Sequence, residues 1–394
     1  MSGQCDLLLY VQHLLGIGHF RRAALIAREA AAQGLQVTVV SGGLPVPDAD
    51  FGAARVVQLQ PPLKTKDEAF SALVLEDGSA LEPEVKQARA EQLLALFAAE
   101  RPKVLLTEMF PFGRRQMRFE LVPLLEAARA ADWRPQIVSS VRDILTTLKQ
   151  PGKIAWIVET AQRFYDRILV HGDPSLIPFE RTFPEVAALG DRIRYTGYVV
   201  DSRIPKRKAR PDGEILVSTG GGAVAEPLVR AVLEAYTTSP YHDRLWRVLI
   251  GYNLVEERFQ ALRKQAPAGV IVERSRPDFL TLLSQAALSI SQAGYNTSLE
   301  VLAAGVPAVV VPFAAGGESE QTLRARLLAE AGRLVLAEEA GLNGARLNDA
   351  MASAFALSST APREQGLQLG SQPVSLDGAA ETARQLAELA GLAR

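Results

Sequence analysis

Cysteine is nearly absent: Cys5 stands alone in 394 residues. That excludes a disulfide framework and fits a reducing compartment. Four histidines and one thiol, scattered along the chain, leave no His/Cys cluster for a metal. An excess of either charge is also missing. The 43 Lys and Arg balance 44 Asp and Glu, which excludes the basic footprint of a nucleic-acid binder. No apolar run approaches the roughly 18 residues of a membrane helix. The opening MSGQCDLLLY has no basic region of the kind that begins a signal peptide. A soluble, cytoplasmic protein is expected, with peripheral contact at the inner face of a membrane left open. Asp48-Ala49-Asp50 imitates a metal-binding D-x-D, but Pro45 and Pro47 beside it read as turn chemistry. No metal and no cofactor are expected.

What is present is alternation. Apolar runs alternate with helical stretches, the pattern of an α/β protein, and the length suggests two domains. Asp6–Val11 reads as a strand, Gly16-Ile17-Gly18-His19 as a turn, Phe20–Gly34 as a helix and Val37–Ser41 as the next strand. A dinucleotide fingerprint would need Gly or Ala at position 21, where Arg21 stands. Further strands are expected at Phe51–Leu59, Lys103–Thr107, Gln136–Val141 and Arg167–His171; Pro61–Pro83 is a polar connection of unassigned structure. Arg114, Arg115 and Arg118 follow one strand as a cluster suited to an anionic acceptor or phosphate, or equally as a solvated loop. Asp143 lies just past another strand, a second acid–base candidate. His171 reads as structural. The charged, proline-bearing run Tyr198–Gly213 marks the domain boundary and holds Arg203, a loose phosphate candidate. The domains are then 1–197, a linker 198–213, 214–376, and a C-terminal amphipathic helix at 377–394 that crosses back to the first.

The second half opens on strand Glu214–Ser218, then Gly220-Gly221-Gly222, then a helix through Ala223 and Pro227–Tyr236. Three glycines let backbone N–H groups approach an anion, and a helix N-terminus adds positive field. The next strand, Leu245–Ile250, ends in Gly251-Tyr252-Asn253, without the acid that binds an NAD ribose. Strand Val270–Glu273 leads into Arg274. Ser289–Gln321 carries the densest information. A strand reaches Ser291, Gly294 turns the chain, and Thr297-x-x-Glu300 reads as a capping box that starts a helix. Gly305 ends that helix, and Val306–Phe313 reads as a strand buried on both faces. Ala314–Ser319 then brings N–H groups and acids to the strand's carboxyl end, before a helix from Gln321. Leu334–Leu336 is a final strand.

This stretch resembles the C-terminal donor-binding domain of family 28 glycosyltransferases. The residues that carry it are Ser291, Gly294, Thr297, Glu300, Gly305, Pro307, Pro312, Glu320 and Gln321. The G-x-G-H at Gly16–His19 is similar to that family's first loop. The resemblance implies a GT-B fold: two Rossmann-like domains with parallel sheets facing a cleft. It implies an inverting, metal-independent transfer from a nucleotide sugar, most simply a UDP-sugar, to a sugar, lipid-linked or polysaccharide acceptor. It places His19 as general base, with Gly18 beside it a candidate, like Arg114, Arg115 and Arg203, for the acceptor or its phosphate. It places Gly220, Gly221, Gly222, Arg274, Gly294, Asn296, Thr297, Glu300, Glu320 and Gln321 around the donor. Glu300 is expected at the ribose hydroxyls, against a role as helix cap only, and Glu320 with Gln321 at the sugar hydroxyls, against a role as helix start. A nucleotide-sugar hydrolase and a non-catalytic sugar-nucleotide-binding subunit stay open as alternatives.

Overall fold

The computed structural model describes residues 5–392 except 15, 47–48, 67–71, 146–150, 206–211, 223, 314–319, 361–367 and 370–371. Two compact units emerge. One is Met1–Val200 with Ser375–Arg394, the other Asp201–Val374.

In the first unit, β1 (Leu7–Val11), β2 (Val37–Gly43), β3 (Arg55–Thr65), β4 (Leu73–Leu75), β5 (Val104–Glu108), β6 (Gln136–Arg142), β7 (Arg167–His171) and β8 (Ile193–Tyr195) make one sheet. Its order is β4-β3-β2-β1-β5-β6-β7-β8, parallel throughout except for the β3–β4 hairpin. Helices α1 (Gly18–Ala32), α2 (Pro83–Glu100), α3 (Arg118–Ala130) and α4 (Pro151–Phe164) fill the crossovers. Both sheet faces are buried, which is why the strands read as unbroken apolar runs. Leu8, Tyr10, Leu105, Ile137 and Ile168 face the side covered by α2, α3 and α4. Leu7, Leu9, Val11, Leu106, Val138 and Leu169 face the side covered by α1 and the C-terminal helix Gly378–Leu389. That last helix lays Ala379, Ala383, Leu386 and Ala387 against α1, the i, i+4, i+7 stripe its sequence shows. Its entry is tight: a Cβ on Gly378 would stand 2.4 Å from the Gly197 carbonyl oxygen.

In the second unit, β9 (Ile215–Ser218), β10 (Trp246–Ile250), β11 (Val270–Arg274), β12 (Leu288–Ser291), β13 (Ala308–Val310) and β14 (Val335–Leu336) form a wholly parallel sheet, order β11-β10-β9-β12-β13-β14. The intervening helices are α5 (Glu226–Thr238), α6 (Glu256–Gln265), α7 (Phe279–Gln285), α8 (Tyr295–Ala304), α9 (Glu320–Glu330) and α10 (Gly344–Thr360). Its core gathers Ile215, Val217, Trp246, Val248, Ile290 and Val309 beneath α5 and α10. Among the described residues, no helix is long and apolar enough to cross a membrane.

The expected GT-B architecture of two Rossmann-like parallel sheets holds, and several local expectations are corrected. The third strand is shifted to Arg55–Thr65, and the Pro61–Pro83 connection contains β4, because the hairpin pairs Leu63 with Leu75. Helix α1 starts at Gly18, so His19 sits in its first turn rather than in a preceding loop. Thr297 and Glu300 are no capping box. Gly294, extended at φ −63° and ψ 149°, is the N-cap without a side-chain cap hydrogen bond, which places Glu300 in the second turn of α8. The buried run Val306–Phe313 is strand only over Ala308–Val310. Helix α5 begins at Glu226, so the triple glycine is a separate loop before it; Ala223 lies outside the described residues.

Candidate functional site

In each sheet the strand order reverses beside the first strand, and open α/β sheets bind ligands at the carboxyl edge of that reversal. In the first unit the reversal is the β1–β5 pair. Helix α1 follows β1 and delivers His19; β5 ends on Glu108. The two meet: His19 Nδ1 lies 3.0 Å from Glu108 Oε1. Arg22, one turn further along α1 and buried, donates from Nη2 to the same oxygen, and its Nη2 is 3.1 Å from His19 Nδ1. Ser140 of β6 donates to the other carboxylate oxygen. Glu108 is 2% exposed and His19 14%, so the imidazole is the member of the pair that reaches solvent. With Nδ1 turned to the carboxylate, ring geometry directs Nε2 away from it.

Charge follows from this packing. Burial pushes the Glu108 carboxyl up, but Arg22, His19 and the Ser140 hydrogen bond outweigh it and hold the group at about 2. Burial, reinforced by the Arg114 cation, holds His19 well below its ordinary value, although Glu108 opposes them. The imidazole is therefore neutral at physiological pH, with one nitrogen able to accept a proton.

Asp143, the other acid–base candidate, lies beyond β6 and is fully buried; Oδ1 accepts from the Ile144 N–H at 2.9 Å, and its Cβ would crowd any Cβ on Gly172. Arg114 and Arg115 diverge. Arg114, at φ 55°, turns back to β1 and donates from Nε to the Gln12 carbonyl at 2.8 Å. Arg115 enters a cavity of about 1020 Å³ at the N-terminal ends of α2, α3 and α4, where Lys86, Arg118, Lys153, Phe119 and Trp156 also line the wall. Gly18 is the first residue of α1.

In the second unit the reversal is the β9–β12 pair. Gly220 and Gly222 follow β9 at φ 57° and 89°, a region that disfavours side chains. A Cβ on Gly222 would stand 2.5 Å from the Gly251 carbonyl oxygen, and Gly221 accepts from the Asn253 N–H at 3.0 Å, so the β9 and β10 loops are closely packed. Across the reversal, Asn296, Thr297 and Glu300 occupy the first two turns of α8, spaced to share one face, and all three are partly buried. Buried Glu320 pairs at 2.9 Å with Arg324, which lies over the Tyr295 ring. Gln321 Oε1 accepts from the Phe313 N–H at 3.2 Å. Arg274 braces the β10 loop, donating to the Gly251 and Leu254 carbonyls and to Glu256. Arg203 pairs with Asp201 at 2.9 Å. Residues 314–319 lie outside the described residues. So the sequence-named residues gather at two strand reversals, except Asp143, Arg203, Arg274 on the edge strand, and Arg115 with Arg118 in their cavity. Sequence reasoning passed over Glu108 and Ser140, although a carboxylate closing an apolar strand run, Leu105-Leu106-Thr107-Glu108, was a usable signal.

Residues 215–371 match the glycosyltransferase family 28 C-terminal domain. The UDP-N-acetylglucosamine–N-acetylmuramyl-(pentapeptide) pyrophosphoryl-undecaprenol N-acetylglucosamine transferase of an Exiguobacterium strain is 34% identical over 146 residues, 36% of this chain and 40% of that protein. The chain thus aligns with less than half the length of this curated relative. Among solved structures, MurG of Acinetobacter baumannii superposes with TM-score 0.57 at 17% identity, covering 97% of this chain and 99% of that one. The glycotransferase of kitacinnamycin gives 0.62 at 18%, covering 100% of both. At such identity these likenesses speak for the fold alone. The chain has the GT-B fold of glycosyltransferases, and its residues 215–371 match the family 28 C-terminal domain.

Proposed function

We propose that the protein transfers a sugar from a nucleotide sugar, a UDP-sugar in the first instance, to an acceptor hydroxyl with inversion. The observation that carries the reading is the His19–Glu108 contact at the strand reversal of the first unit. With Nδ1–H held by Glu108, His19 Nε2 accepts the acceptor's hydroxyl proton as the oxygen attacks the anomeric carbon. The bond to the nucleoside diphosphate breaks, and its electron pair leaves with the phosphate oxygen. The imidazolium formed is stabilised by the anionic Glu108.

The second unit binds the donor in this reading. The Gly220–Gly222 loop takes the diphosphate through backbone N–H groups, and the α8 face with Asn296, Thr297 and Glu300 takes the nucleoside, Glu300 on the ribose hydroxyls. The family 28 match over this unit supports it, and the Exiguobacterium relative's name supports UDP as the nucleotide. That name also describes a lipid-linked pyrophosphoryl acceptor. Lys86, Arg115, Arg118 and Lys153 beside Phe119 and Trp156 support an acceptor of the same chemistry, an anion carrying an apolar group. No metal ion is required by this scheme.

The test is turnover of a UDP-sugar with an amphiphilic phosphorylated acceptor, read by the anomeric configuration of the product. Inverted glycoside from the wild type, and loss of turnover with intact UDP binding in His19→Ala, are expected. A retained anomer, or wild-type turnover in folded His19→Ala, overturns the mechanism; UDP and free sugar as sole products with acceptor present would favour hydrolysis.

A further inference from the structure

Behind Glu108 the sheet carries a row of polar side chains with no part yet in the chemistry. Register places Glu108 of β5 directly beside Ser140 of β6. Arg142 pairs with His171 in β6 and β7, so His171 shares the face of Ser140, and Thr196 follows β8 on the far side. All continue the face that α1 and the C-terminal helix cover. The contacts are continuous. Ser140 Oγ touches Glu108 Oε2 and lies 2.8 Å from His171 Nε2; His171 Nδ1 lies 2.9 Å from Thr196 Oγ1 and 3.5 Å from Thr382 Oγ1 of the C-terminal helix. Ser140, His171, Thr196 and Thr382 are each 2% exposed or less.

Proton counting fixes the direction of the row. Ser140 has a single hydroxyl proton. Glu108, ionised and facing Arg22, can only accept on Oε2, so the Ser140 proton goes there. His171 Nε2 must then be the N–H that donates to Ser140. His171 is neutral in this dry setting, so Nδ1 carries no proton and accepts from Thr196, whose hydroxyl turns to it at 2.9 Å rather than to the Gly197 carbonyl at 3.0 Å, while Thr382 gives its own proton to the Gly378 carbonyl at 2.6 Å. The opposite assignment, Ser140 donating to His171, would set two lone pairs against each other at the Glu108 contact.

We propose that Ser140 and His171 are positioning residues: a buried, proton-ordered row from His171 through Ser140 locks the Glu108 carboxylate so that Oε1 holds His19 in the Nδ1–H tautomer and leaves Nε2 as the base. The inference rests on the reading of His19 as the base for its effect on turnover, but the tautomers themselves can be observed without any substrate.

The experiment is long-range ¹⁵N–¹H NMR of the imidazole rings in the full chain labelled at its four histidines, with His13, His19, His171 and His242 assigned by single His→Gln variants. Neutral His171 with Nε2–H and neutral His19 with Nδ1–H are expected. In Ser140→Ala, His19 should move to a mixture of tautomers, with kcat down about 10- to 100-fold, the size of effect seen for outer hydrogen-bond partners of metal-ligating imidazoles, and KM for the donor unchanged. His171→Gln, whose amide can still donate to Ser140, should keep most of the wild-type kcat, whereas His171→Leu should behave like Ser140→Ala. His171 protonated on Nδ1, or an unchanged His19 tautomer and kcat in folded Ser140→Ala, overturns the inference. If His19→Ala keeps full turnover while the tautomers follow the pattern above, the row stands and the assignment of the base falls.

Discussion

Glu108 receives hydrogen bonds from three side chains, Arg22, His19 and Ser140, and its charge organises all of them. Glu108→Gln keeps the shape and removes the charge. Buried Arg22 then lacks its anion, and breaking such a pair costs about 3–5 kcal/mol. Chemical denaturation should show that loss, and turnover should fall by about the 10²–10⁴-fold a general base contributes. Unchanged stability would show that Arg22 finds its counter-charge elsewhere. The same residues set the acid response. His171 is lowered from 6.5 to about 3 by burial first and Arg22 next, so its neutral form adds stability that is complete above pH 6.5 and drains as pH falls toward 3. His19 shifts the same way. Glu108, lowered from 4.5 to about 2, adds stability that is complete above 4.5 and drains toward 2. Denaturation midpoints should therefore decline from pH 6.5 downward. His171→Gln should flatten the decline between pH 6.5 and 4.5 without abolishing it. A midpoint that rises on acidification through this range contradicts the burial of both histidines as neutral rings.

At the scale of elements, helix α8 and the β9 loop carry the nucleotide reading. In that reading Glu300→Gln removes a charge-assisted hydrogen bond to the ribose worth roughly 1.5–3 kcal/mol, so UDP affinity should drop about ten- to a hundredfold in a folded protein. Equal affinity would leave Glu300 without a role in binding. Gly222→Ala should weaken UDP binding more, since φ 89° and the 2.5 Å approach to Gly251 force the loop to move; calorimetry on the two variants ranks them. These elements were also the most legible in the sequence. Unbroken apolar runs named most of the central strands because both faces of each sheet are buried, and the glycine turns after β1 and β9 marked the strand reversals. Helix starts were less legible. Thr297-x-x-Glu300 fits a capping box, but an extended Gly294 starts α8 without any side chain, and local pattern cannot tell the two apart. Tertiary pairing was not legible at all. His19 and Glu108 are 89 residues apart, and only the register of β5 against β1 and β6 shows that Glu108, not Asp143, faces α1.

At the scale of the whole molecule, the proposed scheme divides the labour between two Rossmann-like units: His19 and a cationic, partly apolar cavity on one, the Gly220–Gly222 loop and α8 on the other. Backbone N–H groups and side-chain cations supply the positive field in this scheme, so turnover should survive EDTA; loss with chelator and recovery with Mg²⁺ would contradict it. The central claim is that this chain uses a nucleotide sugar, and nucleotide binding tests it most directly. Calorimetric titration of UDP into the full chain should give saturable binding at one site, weakened in Glu300→Gln and unchanged in His19→Ala, because the scheme assigns UDP to the second unit and His19 belongs to the first. Heat of mixing no greater than into buffer, for UDP and for every other nucleoside diphosphate tried on folded protein, would contradict the account.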